Sequence, residues 1–191
     1  PPALESMTIA TSWKENRRAF YYNQKINCMR AQGNFTIGSA QYKLDPDVDL
    51  GSLDWGRGVW TYSNTWYWAS FSTMYQGKSL GLNLGYGFSD RSPASENSIL
   101  YDGRIQKLED VVFHFNPDNH MEPWLFTSSD QRLELQLQPI LDRQSNFNFT
   151  LLSSIQHQVF GTLSGFLVLD SGQRIEIDNL IAMTEHVMNK W

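Results

Sequence analysis

Apolar and polar side chains alternate with a two-residue period through much of this chain, and that period predicts β-strands rather than helices. Strand-like runs lie at Thr65 to Ser72, Ser79 to Phe88, Val111 to Phe115, Trp124 to Thr127, Leu133 to Leu137, Val159 to Leu169 and Arg174 to Leu180. Each is short and rich in aromatic or branched residues. Turn residues fall between them, at Gln76-Gly77, Asp102-Gly103, Ser129-Asp130 and Asp170-Ser171-Gly172, the punctuation of an antiparallel meander. Helical stripes with caps are missing, and only Thr184 to Lys190 reads as a last helical turn. An all-β fold is therefore expected, closed as a barrel or stacked as a sandwich, because both protect strand edges.

Within Gly81 to Phe88 the glycines at 81, 85 and 87 share one strand face, and Leu82, Leu84, Tyr86 and Phe88 share the other. A bare face permits a bend in the wall, or close approach by a neighbouring backbone or a ligand; the bend is the simpler expectation.

Two stretches of the chain end alike. From Gly33 a glycine opens a strand (Phe35, Ile37), a turn follows, Gln41 to Leu44 returns, and Asp54 comes 21 residues after the glycine. From Gly165 the same order (Leu167, Leu169, then Arg174 to Ile177) reaches Glu185 after 20 residues, and each acid precedes a tryptophan, Trp60 or Trp191, by six. Such a quasi-repeat predicts two similar β-modules, each placing an acid and an indole at an equivalent point.

A chain of 191 residues with 41% hydrophobic content can bury a sizeable core. Its net charge of -5, with no basic run longer than Arg17-Arg18, removes the electrostatic footprint of a nucleic-acid binder. No apolar run approaches the roughly 20 residues of a membrane span, and no leader pattern opens the chain. One cysteine, Cys28, allows no internal disulfide, which fits a reducing, cytoplasmic setting; in Ile26-Asn27-Cys28-Met29 it reads as a small core residue. The opening Pro1-Pro2-Ala3, without an initiator methionine, suggests that residues precede it in the intact protein.

The densest chemistry lies between Asp54 and Trp68, where Trp55, Trp60, Trp66 and Trp68 stand close in sequence. Gly56 and Gly58 flank Arg57 and suggest a tight loop that presents the guanidinium, or an Asp54/Arg57 ion pair that ties it. Trp66 and Trp68 share a strand face opposite Tyr67, which makes an aromatic wall for a flat or apolar ligand. The four histidines, His114, His120, His157 and His186, show neither strand spacing nor Cys/His clustering, so neither a metal nor a cofactor is expected. His114 reads as a strand histidine, His120 as exposed loop, and His186 as either a surface residue or, beside Glu185, a base. No dinucleotide fingerprint, phosphate loop or nucleophile triad is present.

Leu53-Asp54-Trp55-Gly56-Arg57-Gly58-Val59-Trp60, Trp66-Tyr67-Trp68, Asn83 to Phe88, Glu96-Asn97, Tyr101-Asp102-Gly103, Leu133-Glu134-Leu135, Val159-Phe160-Gly161, Glu185-His186-Val187 and Asn189-Lys190-Trp191 together resemble the domain of unknown function 2804 family over nearly the whole chain. The hairpin, acid-bearing loop and Trp-x-Trp strand resemble, more distantly, the two-barrel lipocalin-like group of carotenoid hydratases and yeast survival-factor proteins. That likeness implies antiparallel lipocalin-like barrels, with residues 1–56 the last strands of an incomplete first module and 57–191 a second barrel. It also implies a site at the junction, although Trp55-Gly56-Arg57 stands where those hydratases carry a histidine, and Met188 where a second histidine of the family's C-terminal motif is expected.

Two functional classes follow. The first is a binder of a lipophilic small molecule, with or without acid/base chemistry of the hydratase or isomerase kind. Asp54, Arg57, Glu185 and His186 would be its catalytic groups, and Trp55, Trp60, Trp66, Trp68, Tyr86 and Trp191 its ligand wall. The second is a carbohydrate-binding or carbohydrate-processing sandwich whose tryptophans stack on sugar rings. A non-catalytic structural module is the third reading. Oligomeric state and turnover are not legible.

Overall fold

The computed structural model describes residues 4–191, so the expectation drawn from Pro1-Pro2-Ala3 falls outside it. Among the described residues every regular element is a strand. In chain order they are β1 (Met7–Ser12), β2 (Phe20–Arg30), β3 (Gly33–Ile37), β4 (Ala40–Leu44), β5 (Leu50–Val59), β6 (Ser63–Tyr75), β7 (Lys78–Tyr86), β8 (Ser98–Tyr101), β9 (Arg104–Lys107), β10 (Val111–His114), β11 (Trp124–Ser128), β12 (Leu133–Phe149), β13 (Leu152–Val168) and β14 (Arg174–Lys190).

β6 to β14 form one nine-stranded antiparallel sheet in the order β10-β11-β12-β13-β14-β6-β7-β8-β9, and β1-β2-β5 form a separate three-stranded sheet. The β3-β4 hairpin stands apart as a two-stranded ribbon. The large sheet curls into a half-barrel, as an incomplete lipocalin-like barrel does. Its curl brings Phe113 of β10 against Tyr86 of β7, with ring centroids 5.2 Å apart. The small and large sheets divide between Val59 and Ser63, while the boundary expected after residue 56 falls inside β5.

Alternation explains the packing. Leu133, Leu135 and Leu137 are buried on the inner face of β12 while Glu134, Gln136 and Gln138 point outward. With Leu80, Leu82, Leu84, Ile99, Trp124 and Phe126 they form the main core. Two-residue turns with positive φ at both positions, Gln76-Gly77 and Asp102-Gly103, close β6-β7 and β8-β9, where the right-handed strand twist favours that geometry. Thr184 to Lys190 continues β14 as strand instead of turning into a helix, because it pairs with β6 on one side and β13 on the other.

The small sheet covers the outer face of β6 and β7. Its own core of Met7, Ile9, Trp13, Ala19 and Tyr21 packs on Trp60 and Phe88. At Gly81 the bare face serves this contact, since a Cβ there would lie 2.9 Å from Cys28 Sγ of β2, while one at Gly85 would lie 2.7 Å from Glu96 Oε2 in the segment leading into β8. Cys28 is buried as expected.

Candidate functional site

Between the two sheets lies a hollow of about 330 Å³ whose wall includes Trp60, Trp66, Trp68, Tyr22 and Phe88, with Lys25, Asp54, Arg57, Glu96 and Glu185 among its polar groups. Register explains how distant residues meet there. Lys25 of β2 lies opposite Asp54 of β5, and Glu185 of β14 lies opposite Trp68 of β6. Opposed residues of an antiparallel pair share a face, so both acids look toward the same gap. The sequence spacing that links Asp54 and Glu185 thus corresponds to a spatial convergence.

The indoles of Trp60 and Trp66 stand 5.9 Å apart, tilted by 47°. Asp54 and its neighbours form strand rather than loop, since β5 pairs with β2 from Leu50 to Val59. The acid's partner is accordingly not Arg57 but Lys25, whose Nζ lies 2.5 Å from Asp54 Oδ2. That ammonium also sits 3.9 Å from the centre of the Trp68 ring, a cation–π contact strengthened by burial. Trp68 Nε1 donates to Asn83 Oδ1 at 2.8 Å, which fixes the indole plane. Glu96 is buried and accepts from Asn23 Nδ2 at 3.3 Å. Burial, then the charge of Glu96, hold the Tyr21 hydroxyl well above the usual phenol range.

Of the acids lining the hollow, Glu185 is the one that burial holds toward its protonated form. Burial raises its carboxyl above the ordinary glutamate value, while hydrogen bonds from Gln158 and Trp66 and the charge of Lys25 pull it down and Asp54 pushes it up. Gln158 Nε2 donates to Glu185 Oε1 at 2.7 Å. A raised folded-state value means that stability from the protonated form is complete below the unfolded value and is lost as pH rises through the folded one. Glu185→Gln is therefore expected to raise Tm relative to the parent more at about pH 8 than at about pH 4. Thermal unfolding at both pH values checks this, and an equal or reversed difference contradicts it.

Six of the ten sequence-predicted site residues line this hollow: Asp54, Arg57, Glu185, Trp60, Trp66 and Trp68. The other four lie elsewhere. Trp55 is half exposed and packs edge-on against Tyr22. Trp191 is likewise exposed, held by its backbone N–H to Tyr62. Tyr86 stacks on Tyr67 at 4.7 Å on the inner face of the sheet. His186 follows Glu185 directly, so its side chain also takes the inner face, where it stacks on Tyr67 at 4.9 Å. It is buried, not a surface residue, and burial lowers its ring to about 4.

Sequence reasoning missed Lys25, Glu96, Asn23 and Tyr21. The period of β2 offered a signal for three of them, since Tyr21, Asn23 and Lys25 share one face, and a lysine flanked at that period by an aromatic and amides marks an unusual strand surface. It missed the histidines too. His120 is buried rather than exposed, and the fold assembles it with His157 and His186 although they lie far apart in sequence. His114 stays on the exposed side of β10, bonded to Thr127 Oγ1 at 3.1 Å.

The family profile of a domain of unknown function (DUF2804) matches residues 1–191. No curated protein and no solved structure matches the chain.

Proposed function

The chain belongs to the DUF2804 family, and because that name carries no activity we propose a function from the hollow itself: it binds an unsaturated or aromatic lipophile by an aromatic wall and manages its polar end with Lys25, Arg57 and the acids. The observation that carries this reading is the wall's composition. All of its apolar lining side chains are aromatic and none is aliphatic, a surface suited to flat π-systems. A carboxyl raised by burial stands beside it at Glu185. Such an acid can protonate a double bond while Asp54, salt-bridged to Lys25, receives a proton from an attacking water. This would be a hydration, with no cofactor; were Asp54 to take a proton from the neighbouring substrate carbon instead, the double bond would move and the reaction would be an isomerisation.

The tilt between Trp60 and Trp66 disfavours the carbohydrate reading, which needs coplanar rings exposed as a platform. The test is titration of the protein's tryptophan fluorescence with a retinoid-like polyene carboxylate, and in parallel with an oligosaccharide series. Saturable quenching by the polyene, weakened about tenfold or more by Trp68→Ala, supports the proposal. Saturation by the sugar alone, or polyene binding indifferent to Trp68→Ala, overturns it.

A further inference from the structure

On the inner face of the half-barrel, opposite the hollow, four side chains from four separate elements meet. His157 of β13 and His186 of β14 are directly opposed in the ladder, and Asp142 of β12 is opposed to Val159, two residues from His157 and on the same face. The segment between β10 and β11 brings His120 over them, where Trp124 Nε1 donates to its carbonyl oxygen at 3.0 Å. His120 Nε2 lies 3.0 Å from His186 Nδ1, and His157 Nδ1 lies 2.7 Å from Asp142 Oδ2. Ligand atoms of His120, Asp142 and His157 all lie within 4.8 Å of one another.

We propose that His120, His157 and His186, backed by Asp142, form a binding site for a first-row divalent transition metal of the zinc class. The donor set fits that class: imidazole nitrogens with one carboxylate are the ligands of zinc and its neighbours, whereas calcium and magnesium call for oxygen. The 3.0 Å contact between His120 Nε2 and His186 Nδ1 brings a third imidazole beside the cluster, within reach of an ion held there. The 2.7 Å contact from His157 Nδ1 to Asp142 places a carboxylate behind an imidazole and leaves Nε2 for an ion, the arrangement that orients metal-bound histidines.

A second observation points the same way. The Asp142 side chain is only 4% exposed, yet its Oδ1 is buried without any hydrogen-bond partner. An orphaned buried carboxylate oxygen is costly, and a cation, or a water held by one, removes that cost. One adjustment accompanies binding. His120 and His157 stack in parallel at 3.7 Å, and an ion bonded in the plane of both rings requires one ring to turn. His120 is the ring that turns, because its backbone lies outside the strand ladder.

The probe is Co²⁺, titrated into chelator-treated full chain and then displaced with Zn²⁺. Expected are intense visible d–d bands that saturate at about one equivalent and vanish with Zn²⁺. His120→Ala and His157→Ala should each weaken binding by about tenfold or more, while His114→Ala, which changes the exposed fourth histidine, leaves it unaltered. Zn²⁺ should also raise Tm for the parent and for His114→Ala by mass action. Should a variant unfold, imidazole NMR of the parent decides: His120, His157 and His186 shift on adding Zn²⁺ and His114 does not. No bands and no Tm rise in folded parent, or shifts centred on His114, overturn the site.

Discussion

Trp124→Ala is expected to lower stability by about 3–5 kcal/mol, and with it Tm by roughly 6–20 °C for a chain of this size. Trp124 is fully buried, and its indole stacks on Phe115 with centroids 3.9 Å apart and planes within 3°. Truncation removes that stack and leaves a cavity between β10, β11 and the main core. It also strips the hydrogen bond from Nε1 to the His120 carbonyl, so the segment carrying His120 loosens and any metal affinity falls with it. Trp55→Ala is the control: that indole is 46% exposed, and its loss should change stability by less than about 1 kcal/mol. Calorimetry on both variants checks the contrast, and equal losses would contradict the placement of the core.

The second large effect is an asymmetry within one ion pair. The Lys25 side chain is 7% exposed and that of Asp54 42%. Asp54→Ala leaves a buried ammonium without its carboxylate and is expected to be destabilising by about 2–3 kcal/mol. Lys25→Met leaves a carboxylate that water already reaches, and a thioether that can lie over Trp68 in the ammonium's place, so stability should stay within about 1 kcal/mol of the parent. Asp54→Ala made in the Lys25→Met background should then have little effect, giving a coupling of about 2 kcal/mol in a double-mutant cycle. Denaturant unfolding measures all four proteins, and additive losses would show that the pair acts independently of burial.

How much of this was legible in the residues follows from what each signal measures. Period-two alternation reports burial on one face, so it located β6, β7, β10, β11, the later part of β13, the opening of β14 and the opening residues of β12. It stopped at Leu137, because β12 runs on through Arg143, Ser145 and Asn148, whose strand conformation comes from pairing with β13 and not from burial. Thr184 to Lys190 escaped for a different reason: Thr184, His186, Val187 and Asn189 are all buried, so polarity there does not report which way a side chain faces, and the two neighbouring strands decide its conformation. That Asp54, Trp66, Trp68 and Glu185 line one hollow was legible because clustered indoles and matched acid spacing are visible in the sequence. Lys25 left only the trace in the period of β2, and Glu96 left none, since its role appears when β2 is laid across β7. The histidines show the principle most clearly. No spacing joins His120, His157 and His186: register pairs His157 with His186, and the segment between β10 and β11 brings His120 to them.

The division into two modules stays a proposal that the sheet connectivity favours. β1, β2 and β5 pair with each other, while all strands from Ser63 onward join the second sheet. The hollow lies on the seam, lined from β2 and β5 on one side and from β6 and β14 on the other. No helix among the described residues is long and apolar enough to cross a membrane.

The central claim is that this seam is where a lipophilic ligand sits, and photo-crosslinking tests it most directly. The protein is irradiated with a diazirine-bearing polyene or fatty carboxylate, digested, and mapped by mass spectrometry. The account predicts adducts concentrated on the peptides carrying Trp60, Trp66, Trp68 and Glu185, and competed by unlabelled ligand. Labelling confined to the exposed apolar tip of β12 and β13 around Phe147, Phe149 and Leu151, with the indole peptides unmodified, would contradict it.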